Sequence, residues 1–345
     1  MKITSSIKKF EMKNSIVLLF SVILFITVPS LFAQPGPPPN GMRPGGMPGM
    51  GGDPDTAWVS PNKTVPAFAS YQLYPTPARG IGTQGSFMLY LPKEYATTNK
   101  RYPVIYFFHG GNGAQRDAEW LMKKMDKAIE EGKMPPVIIV GVQALPIGWY
   151  CNANVGAKGV VSGPVENVLI QNLIPFIDST YRTIASGKGR GVEGWSMGGF
   201  GATRLAFKYP NTFGYVSSLA GALIDFKDEH NPQYLENTFG PSKGDDAEKS
   251  EAYFNSVHPR VFAKQNAALI KQNIKIRLMV GKEDWLYNNN GKFITRLFSE
   301  YLTSLHIPNS YTVIDGVGHM LPQAFDSNQV EYPIQFWIDA FKNVE

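Results

Sequence analysis

The sequence predicts an α/β fold, a mostly parallel, doubly wound sheet entered through a short antiparallel pair of strands. Three observations predict it. From about residue 104 onward, short apolar runs alternate with segments of helical spacing. Two earlier segments instead alternate aromatic or β-branched residues with polar ones, between Pro and Gly punctuation. No internal repeat is visible along the series.

Taken in order, residues 68–73 and 86–91 read as the antiparallel pair. Residues 104–108 form a continuous apolar run ending in His109-Gly110-Gly111, the pattern of a strand buried on both faces. A helix is predicted over 117–131 and a second buried strand over 137–142. Gly163, Pro164 and Glu166 suit the N-cap, first and third positions of a helix reaching about Tyr181. Residues 191–194 read as a strand, 197–208 as a helix stopped before Pro210, and 215–220 as a strand. Strands over 274–280 and 310–314, and helices over 293–305 and 330–342, complete the series. Residues 225–259 are a polar insertion carrying Tyr234, Phe239, Tyr253 and Phe254, read either as a lid or as a solvated excursion.

The N-terminus is set apart from this domain. Lys2, Lys8, Lys9 and Lys13 precede a run without charge over 16–28, 13 residues long, which suits an export signal cleaved after Ala33. A retained anchor is the alternative, because Leu31 is larger than the residue usually found three positions before the cut. Residues 34–56 follow as a tether in which 14 of 23 residues are Pro or Gly, and the packed domain spans 57–345. The expected location is therefore secreted or periplasmic, with no stable membrane insertion after cleavage.

The formal charge of +5 largely belongs to that leader: without residues 1–33 the chain has 29 basic against 27 acidic residues. With no basic run or stripe in the remainder, nucleic acid is a poor candidate partner and none is expected. The single cysteine, Cys151, rules out an intramolecular disulfide and any multi-cysteine zinc site. It also lacks the glycine turn and downstream base that a nucleophile needs.

The chemistry centres on Gly194-Trp195-Ser196-Met197-Gly198, set between a strand and a helix. A serine hydroxyl is a weak nucleophile, so it must stand on a sharp turn where a base can take its proton. Partners belong at the carboxyl ends of other strands. His319 follows the 310–314 strand and Asp284 follows the 274–280 strand, giving the order serine, acid, histidine of the α/β-hydrolase fold. A neutral imidazole can take the serine proton and return it to a leaving alcohol, while the carboxylate fixes its tautomer. The oxyanion needs two backbone donors: the N–H of Met197, and one from Gly110 or Gly111. Competing histidines are His109, His230, His258 and His306; competing acids are Glu283 and Asp315. His109 precedes the serine and is read as holding its own loop.

The segments HGG at 109–111, PVENVLIQNLIPFIDSTYR at 164–182, GWSMGGFGA at 194–202, GKEDW at 281–285 and GVGH at 316–319 resemble the putative esterase family. That family includes esterase D, feruloyl and acetyl xylan esterases and mycobacterial mycolyltransferases, and the resemblance runs from about residue 84 to 342. It implies the α/β-hydrolase fold, the triad Ser196, Asp284 and His319, no metal or organic cofactor, and cleavage of an ester or thioester. Trp195 stands where the family more often has a small or aliphatic residue, which leaves the acyl pocket open.

Trp149, Tyr150 and Asn152 follow the 137–142 strand; with Trp195 and Trp285 they are the candidate contacts for a sugar or phenolic acid, and loop packing is the alternative reading of the first three. The expected function is an exported serine esterase acting through an acyl-enzyme on feruloyl or acetyl groups of plant polysaccharides. An acyltransferase of the mycolyltransferase type is the nearest alternative. A glycan-binding module that has lost activity is the other, against which stands the intact triad.

Overall fold

The buried apolar runs assemble into one eight-stranded sheet in this computed structural model, which describes residues 58–154, 157, 163–228 and 233–344. These residues fall within one compact unit. The export signal and the tether lie outside the described residues. The strands are β1 (Ala69–Pro75), β2 (Gln84–Tyr90), β3 (Val104–Phe108), β4 (Ile138–Val142), β5 (Arg190–Trp195), β6 (Tyr215–Leu219), β7 (Lys275–Gly281) and β8 (Ser310–Ile314). They lie in the order β1-β2-β4-β3-β5-β6-β7-β8. β1 and β2 pair antiparallel, as do β2 and β4; every later pairing is parallel.

This order decides where chemistry can happen. From β3 the chain goes to β4 on one side, then crosses back to β5 on the other. The crevice beyond the carboxyl ends of β3 and β5 is therefore a topological switch point. The loop 109–114 leaves β3 there, and Ser196 leaves β5 there.

Side-chain alternation along β5 assigns the two faces. Gly191 is packed against Trp337 of the helix Gln335–Phe341, and Glu193 accepts a hydrogen bond of 2.7 Å from the Trp337 indole. Gly194 points to the opposite face, against the helix Met197–Lys208. Both faces are filled: β3, β4, β5 and β6 carry only buried residues. That is why these strands read as unbroken apolar runs.

Several boundaries depart from expectation for local reasons. The helix expected to reach Tyr181 starts at Val165 rather than Pro164 and widens into a π-helical stretch, Val168–Leu173, before the turns Ile174–Thr180. Pro175 lacks an N–H and its ring crowds the carbonyl four residues back, so the preceding turn must loosen. The helix expected over 330–342 is confined to Gln335–Phe341, with Pro333 just before it. A short helix, Leu321–Asp326, follows the His319 loop where none was expected. The insertion carries the helices Gln233–Phe239 and Ala247–Val257, anchored by the fully buried Phe239 and Phe254.

Two buried ionic networks hold the helices, one joining helices to a loop and the other joining the sheet to the C-terminal segment. Glu166 accepts from Arg204, Lys208 and Tyr209, each at 2.5 Å. Burial pushes the Glu166 carboxyl up, but these partners together hold it below the usual carboxylate range. Arg204 also donates to the carbonyls of Tyr150 and Val257. On the other face Glu193 accepts from Arg277, Tyr332 and Trp337.

A buried pair with one charge deleted leaves the other uncompensated. Glu166→Gln should therefore lower the free energy of unfolding by about 3–5 kcal/mol, read from denaturant titration. An unchanged midpoint would show that Arg204 does not depend on this partner.

Candidate active site

The turn from β5 into the helix Met197–Lys208 holds Ser196 at φ 56°, ψ −118°, a strained conformation for a residue with a side chain. Backbone bonds hold it there: Ser196 N–H donates to Leu219, and its carbonyl accepts from Phe200 and Ala222. The two flanking glycines are required by close approach. A Cβ on Gly194 would lie 2.1 Å from the Gly198 oxygen, and one on Gly198 would lie 2.1 Å from the Phe108 oxygen.

His319 and Asp284 converge on this turn. The hydroxyl of Ser196 lies 2.8 Å from His319 Nε2, and His319 Nδ1 lies 2.9 Å from Asp284 Oδ2. The carboxylate selects the tautomer, in which Nδ1–H donates to Asp284 and Nε2 accepts from Ser196. The Asp284 side chain is fully buried, and its other oxygen accepts from the backbone N–H of Leu286 at 2.9 Å. The competing acids lie elsewhere: Asp315 is exposed and pairs with Lys282 at 2.8 Å, and Glu283 is exposed.

The competing histidines have other roles. His109 is fully buried between the carbonyls of Gly110 (2.8 Å) and Ala144 (3.3 Å), and so holds the loop it belongs to. His258 caps the helix Pro259–Gln265, its Nδ1 accepting from Arg260 N–H while Nε2–H donates to Ile224. His306 is exposed, and His230 lies outside the described residues. Burial pushes the Cys151 thiol up to about 11, which leaves it inert.

The oxyanion candidates occupy the switch point. Met197 opens its helix, so its N–H has no intrahelical carbonyl to meet. Gly110 packs against the Trp195 ring and Gly111 against the Tyr234 ring. Asp117 lies under the loop and accepts from Ala114 N–H.

The candidate substrate aromatics are sorted differently from expectation. Trp149 and Tyr150 are 1% and 0% exposed, so they belong to the core and do not line the crevice. Tyr150 stacks on Phe108 at 4.2 Å and donates to the His109 carbonyl. Trp149 sits among Phe200, Phe239 and Phe254. Both have left-handed backbone, which turns these large side chains inward. Trp195 is 4% exposed and its indole N–H donates to the His319 carbonyl at 2.7 Å, a fastening rather than a substrate wall. A buried indole N–H needs an acceptor, and the His319 carbonyl supplies it. Trp285 stays at the site, half-buried, its ring 6.0 Å from His319. Asn152 is bonded to Asn167.

Beside His319 opens a groove of about 400 Å³, lined by Met320, Gln323, Ser327 and Gln329 among others. Among the described residues no three His, Cys, Asp or Glu side chains converge as a metal site, and no helix is long and apolar enough to cross a membrane.

A family model described as "Putative esterase" matches residues 79–313. The chain belongs to this esterase family. An esterase of Mycobacterium tuberculosis is 38% identical over 141 residues, 41% of this chain and 30% of that protein. An endo-1,4-beta-xylanase/feruloyl esterase of Xylanibacter ruminicola is 30% identical over 196 residues, 51% of this chain and 26% of that protein. The esterase chain thus matches less than a third of the length of either relative. Among solved structures, a ferulic acid esterase superposes with a TM-score of 0.60 at 18% identity, covering 79% of this chain and 99% of the other. An S-formylglutathione hydrolase from Agrobacterium tumefaciens gives 0.57 at 16% identity, covering 78% and 96%. These likenesses, with the sheet order, make the fold that of an α/β hydrolase.

The buried histidines make stability depend on pH. Burial lowers His109 from 6.5 to about 4 and His258 from 6.5 to about 3. Between those values the unfolded chain takes up protons that the folded chain refuses. Their contribution is therefore complete above 6.5 and lost as pH falls through the lowered values. Asp117 opposes this, because burial raises it from 3.8 to about 6 and the folded chain holds its proton longer. Glu193, which burial also raises, opposes it as well, and the large downward shifts of the two imidazoles leave a net loss. The thermal unfolding midpoint should fall between about pH 7 and about pH 5. His258→Asn, which keeps a capping acceptor, should flatten that fall.

Proposed function

We propose that this chain is an exported serine esterase that cleaves carboxylic esters through an acyl-enzyme. Its substrates are feruloyl or acetyl groups carried on plant polysaccharides. The observation that carries the reading is the pair of hydrogen bonds linking Ser196 Oγ to His319 Nε2 (2.8 Å) and His319 Nδ1 to Asp284 (2.9 Å) on a strained turn.

In this reading Ser196 Oγ attacks the ester carbonyl carbon as His319 Nε2 takes its proton. The carbonyl π electrons move to oxygen, and that charge meets the N–H of Met197 and of Gly110 or Gly111. Asp284 stabilises the imidazolium without taking its proton. Collapse expels the alcohol, which receives the proton from His319, and leaves the acyl group on Ser196. Water, deprotonated by the same imidazole, then attacks the acyl carbon and releases the acid.

The polysaccharide assignment draws on two likenesses, to a protein named endo-1,4-beta-xylanase/feruloyl esterase and to a ferulic acid esterase. The groove beside His319 supports it, since the amides of Gln323 and Gln329 and the Ser327 hydroxyl suit a leaving group rich in hydroxyls. Export rests on the leader sequence.

The full chain, assayed on p-nitrophenyl acetate, methyl ferulate and acetylated xylan, should release product, and Ser196→Ala should not. Absence of Ser196-dependent release from all three would sink the reading. Asp284→Asn should lower kcat by about 10⁴-fold through the wrong imidazole tautomer, whereas Asp315→Asn should leave it unchanged. Product shifting to an acylated sugar on addition of acceptor would favour transfer over hydrolysis.

A further inference from the structure

The insertion that follows β6 reaches back to the loop after β3. The helix Gln233–Phe239 carries Tyr234, whose ring lies against Gly111: a Cβ on that glycine would come within 2.7 Å of Tyr234 Cε1. The Tyr234 hydroxyl accepts a hydrogen bond of 2.8 Å from Asn112 Nδ2. Asn112 is the residue that turns the loop, with φ 59°, and its N–H donates to Pro146. One side chain therefore covers the second oxyanion candidate and holds the residue that sets its direction.

Tyr234 is itself firmly held. The Trp149 indole donates to its carbonyl. Thr238 donates to Ile147 at 2.7 Å, and Asn154 donates to the carbonyls of Thr238 and Phe239. Trp149 and Phe239 pack at 5.7 Å, and Arg204 of the nucleophile helix holds Tyr150 next to Trp149. The helix is thus seamed to the 145–154 loop along its length, as a support requires. A cover free to swing away would not be built so.

We propose that Tyr234 is a positioning residue for the oxyanion loop, acting through Gly111 and Asn112. The proposal rests on the serine esterase reading. A left-handed asparagine after two glycines has little intrinsic preference for one orientation, so the backbone N–H that must meet the oxyanion is aimed by what packs on it. Tyr234 supplies that packing from an insertion outside the β/α framework. It acts on the transition state, where charge develops, and not on substrate capture.

The test compares Tyr234→Phe, Tyr234→Ala, Asn112→Ala and the double variant Tyr234→Phe/Asn112→Ala with the unmodified chain on p-nitrophenyl acetate. Tyr234→Phe keeps the ring and loses the acceptor, and kcat should fall on the order of tenfold with KM unchanged. Tyr234→Ala should cost on the order of a hundredfold. Phosphonylation of Ser196 by a fluorophosphonate ester, in which Oγ displaces fluoride and leaves a polarised phosphoryl oxygen on tetrahedral phosphorus where the oxyanion would lie, should slow in parallel. The double variant should be no slower than the worse single one, because both substitutions remove one bond. Unchanged kcat, a loss confined to KM, or additive losses would each overturn the proposal. If Tyr234→Ala fails to fold, Tyr234→Phe with an unaltered unfolding midpoint decides. Absence of Ser196-dependent turnover in the unmodified chain would overturn the esterase reading and the proposal together. Turnover indifferent to Tyr234 would overturn the proposal alone.

Discussion

Everything at the crevice depends on how closely three backbones meet at the turn after β5. Gly194 and Gly198 leave room for nothing beyond hydrogen, since a methyl at either would fall 2.1 Å from a carbonyl oxygen. One of those oxygens belongs to Phe108, the last residue of β3. The Ser196 turn is thus pressed against the strand that leads to the other oxyanion candidates. The oxyanion candidates and the Ser196 hydroxyl are positioned by one backbone contact, which favours a fixed mutual geometry.

Much of this was legible. Serine, acid and histidine each follow a strand whose apolar run is continuous because both faces are covered, and such runs locate strand ends closely. Asp284 could be preferred to Asp315 by position, and the exposure of Asp315 agrees with that order. His109 could be set aside because it came before the serine, and it is bonded to its own loop. What the sequence conceals is the direction of side chains in irregular segments. Trp149 and Tyr150 follow a strand at the correct end of the sheet, yet left-handed backbone sends both into the core. No pattern of residue types announces two bulky residues in that conformation. Tyr234 was hidden for a related reason: 122 residues separate it from Asn112, and its insertion is polar enough to read as a surface excursion.

The two ionic networks divide the labour between the faces of the sheet. Glu166 and Arg204 join the β4–β5 connection to the nucleophile helix and, through the Tyr150 and Val257 carbonyls, to the aromatic cluster beneath the insertion. Glu193 and Arg277 join β5 and β7 to the C-terminal segment. Breaking either would leave a charge uncompensated in a medium that solvates it poorly.

Trp195 gives the site a further property. Its indole hangs the carbonyl of His319 from the strand residue next to Ser196, although the two lie 124 positions apart in the chain. β8, which leads into the His319 loop, is an edge strand paired on one side alone. An edge strand is held by one ladder of hydrogen bonds where an inner strand has two. With the indole as a tether, the loop that carries the imidazole is fastened to the strand beside Ser196 as well as to the sheet edge.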